Sequence, residues 1–575
     1  MKKNRALTRL LLPSALGVGG LYLLPFFLTL CQSLTGPGGG LSLVRYGEAL
    51  MNPMFRLGAG NFFRFALIAI PAAMVLSLGL ALLLRETGRG FLLLLFSLLL
   101  PFVAPSGSTA FFWNSIFGLN GLINRLLFQQ GLEIVLWDSS RWSILIPVVL
   151  YLWRFCGFFA LLFLVGLYNI PEEYYEIARL EGAGRLTLFW RVTLVYLAPA
   201  LVIVLLLSFI CTFRISRELF MLFGRYPDQN LYFLQHFLQN QLGSMNLPIL
   251  CAATVVVTLI TALAVLPLWR AGKRASDSFG MRGEGNRPFL SRRQGRGRAL
   301  LVLALAALFL LPVLLTVSNS FMSPAEAAGR YSPAVLPQNA GGLARGGLHF
   351  VEPALFPSRG TVSQYAAFLL KPAYLRMFWN SVGMSLPVVL LHVIVSVTAA
   401  YAFFRSGSRG MRGLFAVYML LMVLPVQVML TPQYLFFRML GLAGSWLPVL
   451  LPAIFHPIGV YIIRLQLQGF PQECVEAAQL DGAGEGQIFT QVVLPNLKSS
   501  VLLLAVYTFG EAWNLVDQAV VFIQDGYRLP LSVFLSSMLQ KDLGLLSAGS
   551  VLYLLPPCLF FLTCLLWLRE HREES

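Results

Sequence analysis

Two stretches of the sequence repeat one another, and they carry the carboxylates that are best placed to do chemistry. Residues 171–194 read PEEYYEIARLEGAGRLTLFWRVTL and residues 471–494 read PQECVEAAQLDGAGEGQIFTQVVL, with eleven of the 24 positions identical. Glu176 and Glu476 occupy equivalent places. Acid–base or metal chemistry would need a histidine or a second ligand group beside each glutamate. Neither stretch contains histidine or serine, so the pattern argues against a catalytic role and favours a capped surface helix.

Each stretch predicts a short helix that ends in a sharp turn. Pro171 and Pro471 suit the first turn of a helix, where a backbone N–H is not needed. Acidic residues follow both prolines, where the helix dipole favours negative charge. Gly182 and Gly482 stand where a residue in the left-handed conformation ends a helix. The sequence therefore predicts two matching amphipathic helices, each followed by a turn and a second helix.

The composition predicts an all-α polytopic membrane protein. Of the 575 residues, 57% are hydrophobic and only 12% are charged, and the mean hydropathy is +0.74. A soluble protein of this length needs more charge to cover its surface, whereas apolar runs of about 20 residues cross a bilayer as helices. Twelve such runs are predicted, near 10–33, 62–85, 91–117, 142–167, 194–221, 247–269, 299–320, 378–404, 413–437, 445–468, 499–522 and 546–568.

The basic residues are distributed as in a membrane protein. The net charge is +17, and nine basic residues fall between Arg270 and Arg298. Others precede the first run, follow the second and separate the eighth from the ninth. All these segments lie in the cytoplasm if the N-terminus does, which is the positive-inside pattern. The sequence therefore predicts contact with membrane lipid, both termini in the cytoplasm, and no nucleic-acid partner.

The repeat divides the chain into two predicted halves. A first half, 1–270, holds six runs, a basic linker spans 271–298, and a second half, 299–575, holds the other six. The repeated segments, about 169–191 and 469–491, each lie between the fourth and fifth run of a half. Because six is even, both halves cross the membrane in the same orientation. A parallel repeat of this kind suggests a pseudo-two-fold axis along the membrane normal, with a path between the halves.

The second repeated segment resembles the loop that marks permease subunits of binding-protein-dependent ABC importers. Its E-A-A-x-x-x-G pattern and the leucine–proline that follows comprise Glu476, Ala477, Ala478, Asp481, Gly482, Ala483, Gln487, Phe489, Leu494 and Pro495. The first segment keeps Glu176, Ala178, Gly182, Ala183, Phe189 and Leu194. It departs from the motif at Ile177, Glu181 and Val195. In that family the loop is a coupling helix that docks in a cleft of an ATPase subunit, and the resemblance implies this role for both segments.

The resemblance extends to carbohydrate permeases of the maltose type. The first half is similar to the larger subunit of such permeases at Pro101, Trp113, Gly121, Asn124, Trp153, Arg154 and Phe158. The second half is similar to the partner subunit at Asn380, Ser381, Ala400, Tyr401, Ala402, Arg405, Pro425, Gln427, Pro432, Phe509, Trp513 and Asn514. The similarity covers most of both halves, excepting the linker and an external segment at 322–376. It implies two permease subunits fused in one chain, which pass a sugar or oligosaccharide across a bacterial cytoplasmic membrane.

The resemblance also implies partners and a mechanism. The sequence contains no G-x-x-x-x-G-K-[ST] loop to hold ATP phosphates, so we expect no cofactor in this chain and a transporter subunit rather than an enzyme. ATP and Mg²⁺ would be bound by two ATPase subunits, and an extracytoplasmic binding protein would deliver the small-molecule substrate. The expected mechanism is alternating access driven through the two coupling helices.

Polar and aromatic residues inside the runs mark a predicted substrate path. Ionisable residues are costly in a membrane and so suggest function, and a sugar site needs polar groups for hydroxyls and an aromatic face. Glu511, Trp513 and Asn514 offer both within one helical turn, and Trp113 with Asn114 offers a similar pair in the first half. The predicted path residues are Trp113, Asn114, Gln427, Glu511, Trp513 and Asn514. No metal site is predicted.

Three other functions stay open on the sequence alone. An ion-driven secondary transporter with twelve spans fits two six-run halves but does not explain the duplicated loops. A polytopic membrane enzyme would need clustered histidines or carboxylates, whereas the five histidines are scattered along the chain. An ABC importer for another solute, such as an organic polyanion or an amino acid, would carry the same loops.

Overall fold

The chain is helical throughout the part that the structure describes. The structure is a computed structural model, and it describes residues 2–36, 38, 40–87, 90–168, 170–278, 296–335, 350–422, 424, 426–468, 470–539 and 542–573. Across these ranges the β-structure amounts to a single bridge between Thr35 and Leu41. The predicted all-α polytopic fold class is confirmed.

The helices of the two halves follow one another in a similar order. In the first half they are Lys2–Val18, Leu24–Ser33, Val44–Met51, Pro53–Arg85, Phe91–Val103, Ser106–Phe117, Leu122–Gln129, Leu145–Tyr168, Glu172–Leu180, Arg185–Leu188, Leu194–Tyr196, Ala198–Thr212, Ser216–Phe223, Leu234–Gly243 and Leu247–Ser278. From the linker onward they are Arg296–Ser320, Pro324–Val335, Ser363–Leu369, Pro372–Arg405, Arg409–Met422, Val426–Met439, Leu447–Ile454, Ile458–Gln468, Gln472–Leu480, Glu485–Gln487, Leu494–Asn496, Lys498–Trp513, Asp517–Phe522, Leu531–Ser537 and Leu543–Glu573. Three π-helical turns, Gly19–Leu23, Phe189–Thr193 and Ile488–Val493, and two 3₁₀ turns, Gln229–Leu231 and Gly526–Arg528, interrupt these helices.

The number of membrane spans agrees with the sequence prediction as far as the described residues extend. Nine helices there are long and apolar enough to cross a membrane, and two bent pairs of helices raise the number to eleven. The remaining predicted span, 413–437, coincides with the helices Arg409–Met422 and Val426–Met439. Residues 423 and 425, between these two helices, lie outside the described residues. The count of twelve therefore stays a prediction.

The third span of the first half is broken rather than continuous. It bends by 100° between the helices Phe91–Val103 and Ser106–Gln129. Ala104 has ψ of 136° because it precedes Pro105, and a residue before proline is driven out of the helical region. The sequence analysis gave 91–117 as one apolar run and did not locate this break at Pro105.

The first span of each half packs on the opposite half. The Ser14 and Tyr418 hydroxyls lie 2.9 Å apart, and the Tyr22 hydroxyl donates to the Pro452 carbonyl at 2.6 Å. In the reverse direction, Trp153 Nε1 donates to the Phe309 carbonyl at 3.1 Å. The two halves are therefore interlocked by their own first spans.

Matching asparagines fix matching turns in the two halves. Asn61, on the long helix Pro53–Arg85, donates from Nδ2 to the carbonyls of Gln229 at 2.6 Å and Tyr232 at 2.9 Å. Asn380, on the long helix Pro372–Arg405, donates in the same way to Tyr527 at 2.8 Å and Leu529 at 3.0 Å. In each half, one amide group thus satisfies two carbonyls around a 3₁₀ turn.

The segment 322–376, which the sequence predicts to be external, reaches the first half. The Val351 N–H donates to the Asn120 carbonyl at 2.9 Å, and Arg125 pairs with Glu352 at 3.2 Å. Within the segment, hydrogen bonds lower the pKa of Glu326, foremost the one from the Ser358 backbone N–H. Residues 336–349 lie outside the described residues, as do 279–295 of the predicted linker.

We expect Asn61→Ala to destabilise the first half measurably. Removing the amide leaves two carbonyls without their donor, at a cost of about 1–2 kcal/mol. The apparent melting temperature in one detergent, followed by intrinsic fluorescence, should fall for Asn61→Ala and for Asn380→Ala. Asn246→Ala is the matched control, because the Asn246 side chain makes no hydrogen bond to the described residues. Equal melting temperatures for Asn61→Ala and the control would contradict the assignment.

Candidate functional site

The two repeated segments form the same loop. Each helix, Glu172–Leu180 and Gln472–Leu480, begins after a proline cap. Each ends at a glycine with positive φ, +82° at Gly182 and +81° at Gly482. The sequence prediction of a left-handed terminating residue is confirmed at both glycines.

The hydrogen bonds of the turns are also the same. The Ala183 N–H donates to the Ala178 carbonyl at 2.9 Å, and the Ala483 N–H donates to the Ala478 carbonyl at 3.0 Å. A second bond runs from each glycine N–H to the residue three positions before it. This pair of bonds defines the Schellman motif, which satisfies the last carbonyls of a helix. The departures of the first segment from the family motif therefore leave its backbone geometry intact.

Both loops present acidic and apolar side chains at the surface of the chain. Glu176, Glu476, Ala477 and Asp481 are exposed. The most exposed large hydrophobic side chains of the two loops are leucines at equivalent positions, Leu180 at 88% and Leu480 at 89%. A leucine held open at the end of a helix with a fixed turn is suited to contact another protein.

The second loop is tied to the end of a long helix by an ion pair. Arg405, the last residue of the helix Pro372–Arg405, donates to Glu485 at 2.8 Å, and both side chains are largely buried. The Tyr401 hydroxyl donates to the other Glu485 oxygen, also at 2.8 Å. The loop is therefore held by charge-assisted hydrogen bonds, which are stronger than neutral ones.

The first loop is tied to its long helix by different chemistry. Arg85, the last residue of Pro53–Arg85, lies 4.9 Å above the Tyr175 ring and donates to its hydroxyl at 3.1 Å. The Tyr175 and Thr193 hydroxyls lie 3.1 Å apart. The sequence analysis named Arg405 in the family resemblance and treated the basic residues after the second run, among them Arg85, as topology signals. Nothing in the sequence pattern indicated that they also hold the loops.

A buried ion pair lies at the bend of the third span. Arg154 pairs with Glu218 at 2.7 Å, and both side chains are at most 6% exposed. Arg154 also donates to the Ala104 carbonyl at 3.1 Å, and the Ser106 hydroxyl donates to Glu218 at 3.0 Å. Arg154 thus donates a hydrogen bond to the carbonyl that the bend leaves without a helical partner, and the Glu218 carboxylate neutralises the charge of Arg154.

Two more ion pairs join the first half to the second. Arg214 pairs with Glu511. Arg217 binds Asp517 through two hydrogen bonds, of 3.2 and 3.0 Å, and also donates to the Asn514 carbonyl at 3.0 Å. The sequence prediction named Glu511 for the path, and the structure places it with Arg214, Arg217 and Asp517 in one layer between the halves.

Two cavities open beside this layer. We call one the second-half cavity, since Tyr22 and Arg214 are its only first-half lining residues in the described chain. The other, which we call the interface cavity, is lined on its charged side by Arg154, Arg214, Arg217, Glu218, Glu511 and Asp517. Both cavities share Arg214, Glu511 and Gln518. The Arg214–Glu511 pair therefore lies where the cavities meet.

The predicted path residues are divided between the cavities and the packed interior. Glu511 lines both cavities and Asn514 lines the interface cavity, where its Nδ2 has no hydrogen-bond partner among the described residues. Trp513 is instead buried at 1% exposure, with its Nε1 donating to the Tyr553 carbonyl at 3.1 Å.

The two first-half residues lie elsewhere. Trp113 packs edge-on against Trp153, and Asn114 follows it on the same helix. Neither belongs to the described linings of the two cavities. The side chain of Gln427 lies outside the described residues. The assignment of these residues to the path stays a prediction.

Long apolar helices, paired charges between two halves and matched surface loops define the chain as a polytopic membrane protein. Residues 392–569 match the family described as binding-protein-dependent transport system inner membrane components. The chain is 31% identical over 190 residues to a probable ABC transporter permease protein of Pyrococcus horikoshii, a match that covers 32% of this chain and 68% of that protein. The chain belongs to this family, and is the multi-pass membrane component of a binding-protein-dependent importer.

Other relatives are similar over comparable lengths. The osmoprotective compounds uptake permease protein GgtD of Synechocystis sp. is 30% identical over 32% of this chain, and the match covers 64% of its own length. The arabinooligosaccharides transport system permease protein AraQ of Halalkalibacterium halodurans is 28% identical over 33% of this chain and 69% of its own length. A crystal structure of a bacterial alginate ABC transporter with an alginate pentasaccharide-bound periplasmic protein has 16% identity and a TM-score of 0.40, over 50% of this chain and 97% of the compared chain.

We expect Glu218→Gln to be strongly destabilising. The substitution leaves the buried Arg154 without its carboxylate, and breaking such a pair costs about 3–5 kcal/mol. The exposed pair Arg45–Glu48 provides the control, because Glu48→Gln should cost about 1 kcal/mol or less. The check is the melting temperature of each purified variant in the same detergent.

The double variant Arg154→Met with Glu218→Leu separates charge from shape. It removes both charges, so it should melt above Glu218→Gln even though the Ala104 carbonyl loses its donor. A double variant that melts below the single variant would show that the pair is not the source of the stability.

Proposed function

We propose that this chain fuses two permease halves and forms the complete transmembrane path of an ABC importer for a sugar or oligosaccharide. The observation that carries the proposal is the pair of loops, which lie 300 positions apart and share a proline cap, a left-handed glycine and the same two hydrogen bonds. The matched asparagines Asn61 and Asn380 support the same division into halves. The names of the relatives, among them arabinooligosaccharide, trehalose and alpha-glucoside permeases, support a carbohydrate cargo.

The coupling loops are proposed to bind two ATPase subunits, one loop to each. The exposed Leu180 and Leu480 would enter a cleft on each ATPase, with Glu176 and Glu476 on the same short helices. ATP and Mg²⁺ would be held by those subunits and by no residue of this chain. Both loops, and both termini, would then face the cytoplasm, in agreement with the positive-inside distribution of arginine.

Force on the two loops would reach the membrane helices through the side-chain contacts that join each loop to a long helix. Arg405–Glu485 and Arg85–Tyr175 join each loop to the end of a helix of more than 30 residues. A displacement of the loop would therefore move a rod about 50 Å long. A loaded binding protein would dock outside, the halves would rock, and the cavities between them would open to receive the solute.

We expect Gly182→Ala together with Gly482→Ala to uncouple the chain from its ATPase. An alanine Cβ meets no atom within 4 Å at either glycine, so the cost is the left-handed backbone alone, about 1–2 kcal/mol at each. A cost of this size should lower the ATPase recovered with the purified chain by about fivefold or more. Recovery is measured by pull-down of the full chain from detergent-solubilised membranes.

Gly484→Ala is the matched control for the coupling test. Gly484 lies in the same turn, but its φ is −74° and a Cβ there would come only within 3.8 Å of the Gln487 side chain. It should therefore recover ATPase as the unmodified chain does. If no ATPase is recovered with any version, while the chain alone in liposomes moves a solute along an ion gradient, the secondary-transporter function replaces the proposed one.

A further inference from the structure

We infer that the second-half cavity is a binding site for an uncharged, polyhydroxylated solute. This inference rests on the proposed import function and assigns its solute site to one half of the chain. Apart from Tyr22 and Arg214, the described residues that line the cavity belong to the second half. The sequence had instead placed path residues in both halves, including Trp113 and Asn114.

Two side-chain amides in the cavity lining have donors and acceptors that few or no hydrogen bonds within the described chain occupy. Gln518 makes no hydrogen bond to the described part of the chain and lines both cavities. Gln433 is 2% exposed, and its only hydrogen bond there is a long one of 3.4 Å from Nε2 to the Leu21 carbonyl. Each amide carries both donors and an acceptor, so the two together can serve several hydroxyl groups of either polarity.

A histidine adds a donor of defined orientation. The Ile458 N–H donates to His456 Nδ1 at 3.3 Å, so in the neutral ring the hydrogen is on Nε2. His456 Nε2 has no hydrogen bond within the described chain. Its ring meets the Tyr22 ring edge-on at 6.0 Å. The two rings supply the apolar surface on which the C–H face of a sugar ring packs.

A π-helical turn brings Tyr22 to this position. The turn Gly19–Leu23 interrupts the first span, and Tyr22 lies within it. Such turns shift the register of a helix locally and occur often at functional sites. The Tyr22 hydroxyl is held by the Pro452 carbonyl at 2.6 Å. Tyr22 of the first half is thus held in the lining of a cavity whose other described residues, apart from Arg214, belong to the second half.

The charges around the cavity cancel. The only ion pair of its described lining is Arg214–Glu511. The other two arginines of the adjoining interface cavity, Arg154 and Arg217, are paired with Glu218 and Asp517. No described arginine in either lining is left to attract an anion, and no described carboxylate is left to attract a cation. An uncharged solute therefore fits the electrostatics, and a polyanion or an organic cation does not.

The test is binding of named sugars to the full chain in lipid nanodiscs. The probes are trehalose, maltotriose and arabinotriose, with trigalacturonate as an anion of similar size, and binding is measured by equilibrium dialysis. We expect at least one neutral sugar to bind and trigalacturonate to bind at least about tenfold more weakly, a difference of one decade in Kd. Tighter binding of trigalacturonate would overturn the inference.

Gln433→Leu and Gln518→Leu locate the site, because leucine keeps the approximate size and removes the amide. Each substitution should raise the Kd of the neutral sugar by about tenfold or more. The melting temperature of each variant shows whether it is folded. The exposed Gln130→Leu, away from the described cavity linings, is the control and should bind as the unmodified chain does. Unchanged binding in both cavity variants, or loss of binding in Asn114→Ala alone, would overturn the site.

One outcome separates this inference from the proposed function. A chain that recovers its ATPase through the two loops but binds none of the neutral sugars keeps the importer function and refutes the site. A chain that recovers no ATPase and binds no sugar refutes both.

Discussion

Two helix breaks leave backbone carbonyls without a helical hydrogen bond, and arginine side chains satisfy them. Arg154 donates to the Ala104 carbonyl at the bend of the third span, and Arg217 donates to the Asn514 carbonyl where the eleventh span is interrupted. An unsatisfied carbonyl in a bilayer costs several kcal/mol, and so does an unpaired guanidinium. Each arginine therefore requires a carboxylate of its own, which Glu218 and Asp517 provide. The broken helices, the ion pairs and the cavities beside them form one connected arrangement.

The same arrangement explains how the halves can be held firmly and still move. Arg214–Glu511 and Arg217–Asp517 cross between the halves with partly exposed side chains, whereas Arg154–Glu218 lies within the first half and is buried. A pair inside one half stabilises that half in every state of the importer. In the proposed rocking of the halves, a pair across them would break or shift, because such contacts change between discrete arrangements rather than continuously. A pair within one half is therefore expected to stabilise the fold, and a pair between the halves is expected to change when the halves move.

Local features could be predicted from the sequence, whereas contacts between distant segments could not. The proline caps, the terminating glycines Gly182 and Gly482 and the short loop helices follow from neighbouring residues alone, so the sequence predicted them with their positions. The sequence did not locate the bend at Ala104, because the apolar run 91–117 has the right length for one span and includes Pro105. Trp513 and Tyr22 show the larger gap. Trp513, which the sequence predicted to line the path, is packed in the interior with its indole N–H bound to the Tyr553 carbonyl. Tyr22, which the sequence did not indicate, lines a cavity and donates a hydrogen bond to Pro452, 430 positions along the chain. Tertiary packing decides which face of a membrane helix contacts which neighbour, and the hydropathy of the sequence does not predict those contacts.

Equivalent positions of the two halves carry opposite charge. The repeat has an offset of 300, and at that offset Arg217 corresponds to Asp517 and Glu218 to Gln518. Arg217 and Asp517 bind each other, so these equivalent residues lie side by side between the two predicted halves. Two identical halves would bring arginine against arginine or aspartate against aspartate at this point, and like charges so close would repel. In the proposed fusion of two unequal halves, one chain supplies one residue of each charge for this pair.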